Sequence, residues 1–278
     1  MFSKFSLENL PAHQFSDQYQ IGKEMFDTLE KSIHSRLEEF VGKDGTIDGT
    51  KLQDAWFPST EHFDIFLSHS HKDLDLAIAL SGWLYDAFHL KTFIDACLWG
   101  YSNDLLRNID NKYCLFEDGS MYSYFKRNYS TSHVHMMLSI ALSKVIDNTE
   151  CVMFLNTPNS ISWREDLSSI DGDSATISPW IYHELAMTSL IRRKELEEYR
   201  RGKWVAMSES YRAFDSVQPE LNIEYDISDY VKELIPLDLK DLLIWELNYL
   251  DKDQLRHDLS MSYALDQLYI NKQIISIG

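Results

Sequence analysis

The segment Phe63 to Ser70, "FDIFLSHS", together with the residues up to Ala96, constrains the fold more than any other stretch of this chain. A short β-branched and aromatic run that turns polar at its end reads as a buried strand. Ser70 and Asp73 then have the spacing of a helix capping box, and Leu76, Leu80, Trp83, Leu84 and Ala87 continue on one side of a helix. "LKTFIDA", Leu90 to Ala96, is a second short strand. Two strands joined through a helix make a crossover unit, which requires the strands to run parallel. The expected fold class is therefore α/β.

The rest of the chain repeats the alternation. His135, Leu138, Leu142, Val145 and Ile146 give a helix, and "CVMFLN", Cys151 to Asn156, gives a strand buried on both faces. Between Cys97 and Ser130 the chain is irregular, aromatic and polar, longer than an ordinary connection, and reads as an insertion. "SPWIYHELAMTSLIRRKELEEYR" opens with a capping Ser178 and with Pro179 at the first helical position. Trp180, Glu184, Met187 and Ile191 share one face of this helix, apolar except for the glutamate. At the amino-terminal end, Ser16 to Val41 has amphipathic helical spacing, stopped by "GKDGTIDGT". Towards the other end, a strand is expected at Leu221 to Ile227 and amphipathic helices around Tyr230 to Leu250 and Gln254 to Ile275. Trp245, Tyr249, Leu259, Tyr263 and Leu268 suit packing of that tail on the core.

Composition narrows the function classes. With 44% apolar residues and few glycines and prolines, the 278-residue chain has the makings of a globular core rather than a low-complexity or fibrous one. Its net charge of −18 disfavours nucleic acid and anionic membrane surfaces as partners. Cys97, Cys114 and Cys151 lack CxxC spacing and are expected as free thiols. The first residues show no basic stretch followed by an apolar run, and no window offers the roughly 20 consecutive apolar residues of a membrane helix. A cytoplasmic protein is expected.

Glu184 is the residue whose chemistry most needs an explanation. A carboxylate on an apolar helix face near the carboxyl ends of strands is desolvated, which raises its pKa and suits it to acid–base work. Read alone, it fits equally a structural ion pair at the edge of the core. The pairs His69/His71 and His133/His135 have H-x-H spacing, but no third ligand accompanies either, so no metal is expected. Neither GxGxxG nor GxxxxGK occurs, which leaves no dinucleotide-redox or P-loop fingerprint.

In combination, "FDIFLSHSHKDLDLA", "LKTFIDACLWG", "CVMFLNTPNS" and "SPWIYHEL", in this order, resemble a TIR (Toll/interleukin-1 receptor) domain. The resemblance covers roughly Glu61 to Arg200, extending towards Ile227. It implies a flavodoxin-like TIR fold, a central parallel sheet flanked by helices, with residues 1–60 an N-terminal helical extension, 61–227 the TIR domain and 228–278 a C-terminal helical extension packed on it. It further implies an enzyme of bacterial anti-phage defence that cleaves the nicotinamide–ribose bond of NAD, giving ADP-ribose or a cyclic ADP-ribose-type signal. NAD would then be a consumed substrate, and no cofactor is implied. Glu184 matches the family's catalytic glutamate. Phe66, Ser68, His69 and Ser70 match the end of its first strand and the loop bordering the substrate, and Asp95 the acid ending its second strand. Trp99 matches the following loop, and Trp180, one turn before Glu184, a residue placed to contact the nicotinamide-ribose end. Self-association through TIR surfaces and a downstream effector that senses the product are the implied partners.

On the residues alone, Phe66 also fits a core position, Ser70 a helix cap and Asp95 a turn. Two other functions share these features: a noncatalytic TIR scaffold, and a transferase of similar architecture acting on another N-glycosidic bond. The chain departs from a compact TIR pattern in the segment after Trp99 and in "SWREDLSSIDGDSATI" before Ser178.

Overall fold

A computed structural model describes residues 1–275 except 12, 31–36, 44, 58–61, 165–172, 201–224 and 256–263. Its centre is a five-stranded, all-parallel sheet flanked by helices, the α/β class expected. In chain order the elements that build it are β1 (Ser3–Glu8), α1 (Tyr19–Glu30), α2 (Gly49–Trp56), β2 (Ile65–Ser68), α3 (Leu74–Phe88), β3 (Thr92–Ile94), α4 (Ala96–Tyr113), α5 (Tyr124–Asn148) and β4 (Cys151–Asn156). A small antiparallel sheet follows, of β5 (Ser162–Arg164), β6 (Asp173–Thr176) and β7 (Tyr225–Asp226). Helices α6 (Pro179–Leu190) and α7 (Leu196–Arg200) lie between β6 and β7 in the chain. The chain continues with α8 (Ser228–Lys232), β8 (Ile235–Leu237), α9 (Leu239–Leu255) and α10 (Ala264–Asn271).

The sheet order is β3-β2-β4-β1-β8. β3, β2 and β4 stand in the relative order of the first three strands of a flavodoxin-like sheet. The fourth position is filled from the opposite end of the chain: β1 pairs along its whole length with β4, Ser3 opposite Cys151 through Glu8 opposite Asn156. Residues 1–60 were expected to form a helical extension, and the structure corrects this by placing β1 inside the sheet. The reason lies in the pattern. Phe5 and Leu7 are fully buried while Lys4 and Glu8 are half-buried, so β1 mixes polar and apolar positions where the other inner strands are apolar up to their last residue. Its polar positions find partners far away in sequence: Asn156 donates to the Ser6 hydroxyl at 3.1 Å, and Lys4 donates to the Ser189 hydroxyl at 3.1 Å.

Side-chain alternation along the strands makes two cores. Ile65, Leu67, Met153 and Leu155 face α1, α3, α9 and α10, and Phe66, Phe93 and Val152 face α2, α4 and α5. Helix α3 is buried from Leu76 to Leu84 without a break, because it packs on the sheet with one side and on α1 with another. Glycines permit that approach: a Cβ on Gly82 would lie 2.0 Å from the Gln18 carbonyl oxygen, and one on Gly22 would lie 1.9 Å from that of Ile78.

Several expected elements change. Of the helix expected over Ser16 to Val41, Ser16–Gln18 and Leu37–Phe40 are 3₁₀ turns, Tyr19–Glu30 is α1, and residues 31–36 lie outside the described part. The insertion after Cys97 is mostly helical, with α4 and the start of α5 joined by a turn in which Leu115 bridges Tyr122. The helix expected over Tyr230 to Leu250 is interrupted by β8, whose Pro236 suits the sheet edge. Of the strand expected at Leu221 to Ile227, residues 221–224 lie outside the described part, and Tyr225–Asp226 is β7. Leu259 and Tyr263 also lie outside it, whereas Trp245 and Leu268 pack in the core below α3. Cys114 and Cys151 are free and buried. No described helix is long and apolar enough to cross a membrane.

Candidate functional site

The carboxyl ends of β2 and β3 and the middle of α6 meet at one place. In open α/β sheets, ligands bind outside these strand ends, at the point where the connections diverge. Here that point lies between β2 and β4. Ser68 closes β2 on the face where Phe66 points to α4 and α5, and its hydroxyl donates to Glu184 Oε2 at 2.6 Å. Asp95 follows β3 and caps α4, its Oδ1 accepting the Ala96 N–H at 2.9 Å. His69 Nδ1 lies 2.5 Å from the same oxygen, a close electrostatic contact without the angle of an aligned hydrogen bond.

Glu184 is positioned by the start of α6. Ser178 accepts the Ile181 N–H at 3.2 Å, and Pro179 occupies the first turn, as the sequence indicates. The helix is buried on two sides: Trp180, Met187 and Ile191 lie on the α4/α5 core, while Ile181 and Leu185 lie in a small cluster with Phe154, Ile227 and Leu234. Glu184 falls between. A seam with α5, which the sequence did not reveal, fixes the rotation of α6. His183 Nε2 donates to the Ser139 carbonyl at 3.2 Å, and the Ser143 hydroxyl stands 3.3 Å from the same nitrogen. The available signal was the i, i+4 serine pair on one face of α5. Burial depresses the His183 pKa, partly offset by the bond to Ser139.

Ser68, His69, Asp95 and Glu184 are each at most 1% exposed. Burial pushes the Glu184 pKa well above its ordinary value, the negative charge of Asp95 pushes in the same direction, and the Ser68 hydrogen bond opposes both. Among the described residues, seven buried side-chain atoms lack a hydrogen-bond partner, and four belong to this cluster: both ring nitrogens of His69, Asp95 Oδ2 and Glu184 Oε1. Buried polar groups are ordinarily paired, so a concentration of unpaired ones in one spot signals chemistry left available.

Of the other candidate residues, Phe66 occupies a core position, fully buried with its ring stacked on Phe93 at 5.5 Å. It supports Ser68 from below. Ser70 makes no capping bond, and Asp73 does not complete a capping box; its carboxylate instead accepts from Thr157 at 2.5 Å and Asn159 at 2.7 Å, tying the loop after β2 to the loop after β4. Trp180 stands half-buried with its ring edge-on to His135 at 5.5 Å. Trp99 lies on the first turn of α4 rather than in a loop, and its side chain lies outside the described part. No group of three or more His, Cys, Asp or Glu side chains suited to a metal ion occurs among the described residues.

An apolar cavity of about 670 Å³ lies between α2, α4 and α5, lined by residues that include Leu52, Ile109, Tyr113, Phe125 and Met137. None of the four clustered residues lines it. No protein-family model, curated protein or solved structure matches the chain.

Proposed function

We propose that the chain is a TIR-type enzyme that cleaves the bond between nicotinamide and ribose in NAD, with Glu184 as its catalytic residue. The observation that carries this reading is the convergence of Ser68, Asp95 and Glu184 at the carboxyl end of a parallel sheet, from three segments far apart in the chain. In the reaction, the C–N bond breaks and its electron pair goes to the nicotinamide nitrogen, which leaves uncharged. The ribosyl carbon becomes oxocarbenium-like, as in glycoside hydrolysis. An ionised Glu184 stabilises that charge and holds the ribose hydroxyls, and Ser68 orients the carboxylate through its hydrogen bond. Water at the ribosyl carbon gives ADP-ribose; attack by a nucleophile within the ADP-ribosyl group gives a cyclic product.

The depth of the cluster requires the surrounding wall to part before the reacting end of NAD reaches Glu184. That burial also favours a second reading, a noncatalytic module that works by assembly. Phe125, Tyr124 and Tyr129, 84%, 73% and 71% exposed on the first turns of α5, suit self-association under either reading. A role in anti-phage defence and an effector that senses the product belong to the same proposal.

The test is incubation of the purified protein and its Glu184→Gln variant with NAD, dilute and under crowding, with products resolved by chromatography and mass detection. Nicotinamide released by the unmodified protein alone supports the enzyme. Equal release by the variant removes Glu184 from the mechanism, and no release in any state of assembly favours the scaffold.

A further inference from the structure

The two unpaired carboxyl oxygens of the cluster, Asp95 Oδ2 and Glu184 Oε1, have an explanation in charge and geometry. Each carboxyl already uses its other oxygen, Asp95 Oδ1 for the Ala96 N–H and Glu184 Oε2 for Ser68. The carboxyls are within side-chain hydrogen-bonding reach of each other. Both residues are almost completely buried, and two ionised carboxylates in contact in such a place repel strongly. Beside them stand Ser68 at the end of β2, which donates to Glu184, and His69, the next residue, whose Nδ1 lies 2.5 Å from Asp95 Oδ1. The histidines of the neighbouring helices are turned elsewhere, His183 to the Ser139 carbonyl and His135 to Trp180, and among the described residues no lysine or arginine acts on Glu184. Two carboxylates here would leave an uncompensated negative charge in the interior.

We infer that Asp95 and Glu184 hold one proton between them in the unliganded protein, and that a cationic ligand at this site displaces it. Asp95 is then the positioning residue that keeps Glu184 protonated while the site is empty. The second half of the inference rests on the NAD reading above, because the pyridinium of NAD supplies the positive charge that replaces the proton. The balance is simple: one proton leaves for solvent, one cation enters, and Glu184 is delivered as the carboxylate that the bond cleavage needs. Between the two states, affinity for the cation rises with pH, about tenfold per pH unit for one proton released.

Two measurements separate the halves. Infrared spectra of the unliganded protein at neutral pH are expected to show the carbonyl stretch of a protonated carboxylic acid, absent from Glu184→Gln. A spectrum without that band, or a band unchanged in the variant, overturns the shared proton whatever the enzyme does. Calorimetry then uses carbocyclic NAD, which keeps the pyridinium charge and is not cleaved, in two buffers of different ionisation heat. One proton released per ligand is expected, falling towards zero in Asp95→Asn, with none released by uncharged NADH. Binding of carbocyclic NAD with no proton release overturns the exchange. Absence of binding, with the acid band present, overturns both the exchange and the NAD reading while leaving the shared proton standing.

Discussion

The cluster around Glu184 and the cavity between α4 and α5 belong to one molecule, and they differ in kind. The cavity is roomy and apolar. The cluster instead concentrates four buried polar atoms without a hydrogen-bond partner, from three side chains. An apolar cavity costs stability in proportion to its size but asks for no particular ligand. An unpaired buried carboxyl asks for a proton or a cation. The difference separates space that accepts any apolar group of the right size from polar atoms that ask for a particular one.

The comparison can be broken most forcefully at Glu184. Replacing it with glutamine should lower nicotinamide release by roughly 10²–10⁴-fold, since glutamine keeps the size and the Ser68 contact but cannot carry the charge. Its melting temperature at neutral pH should not fall, which an ordinary thermal scan checks. Next in size is Leu52→Ala, which enlarges the cavity from the α2 side. It should cost about 2–5 kcal/mol in denaturant titration and leave turnover per folded molecule unchanged. Loss of turnover in the folded fraction would move the reacting centre towards the cavity.

A pH series sharpens the contrast further. The native Glu184 pKa lies above its ordinary 4.5, so the folded state binds more protons than the unfolded state between those two values. Stability should therefore fall as pH rises from about 4.5 through the raised value, and Glu184→Gln should lose that part of the slope. The smallest effect is expected from Ser178→Ala, which removes the cap of α6 and should cost about 1 kcal/mol. Because the His183 seam still fixes the helix, activity should change little.

Much of this was legible in the residues, for reasons that also explain the failures. β2, α3 and β3 carry strong local signals, and so does α6, whose cap, proline and apolar face are contiguous in sequence. Ser68, His69, Asp95 and Glu184 are all candidates on their motifs alone. What the sequence could not supply was distance. β1 joins β4 across nearly 150 residues, and its short alternating pattern is too weak to mark a central strand without that partner. Phe66 and Ser68 share a strand face, and only the packing of Phe93 and α6 decides that one is core and the other meets Glu184. The His183 seam depends on the register of α5 against α6, which no local pattern encodes.

The most direct test of the central claim is a crystal structure of the Glu184→Gln variant grown with NAD. The account predicts the nicotinamide-ribose end against Ser68, Asp95 and the side chain at position 184. NAD lodged instead in the cavity between α4 and α5, with the cluster closed and empty, would contradict it.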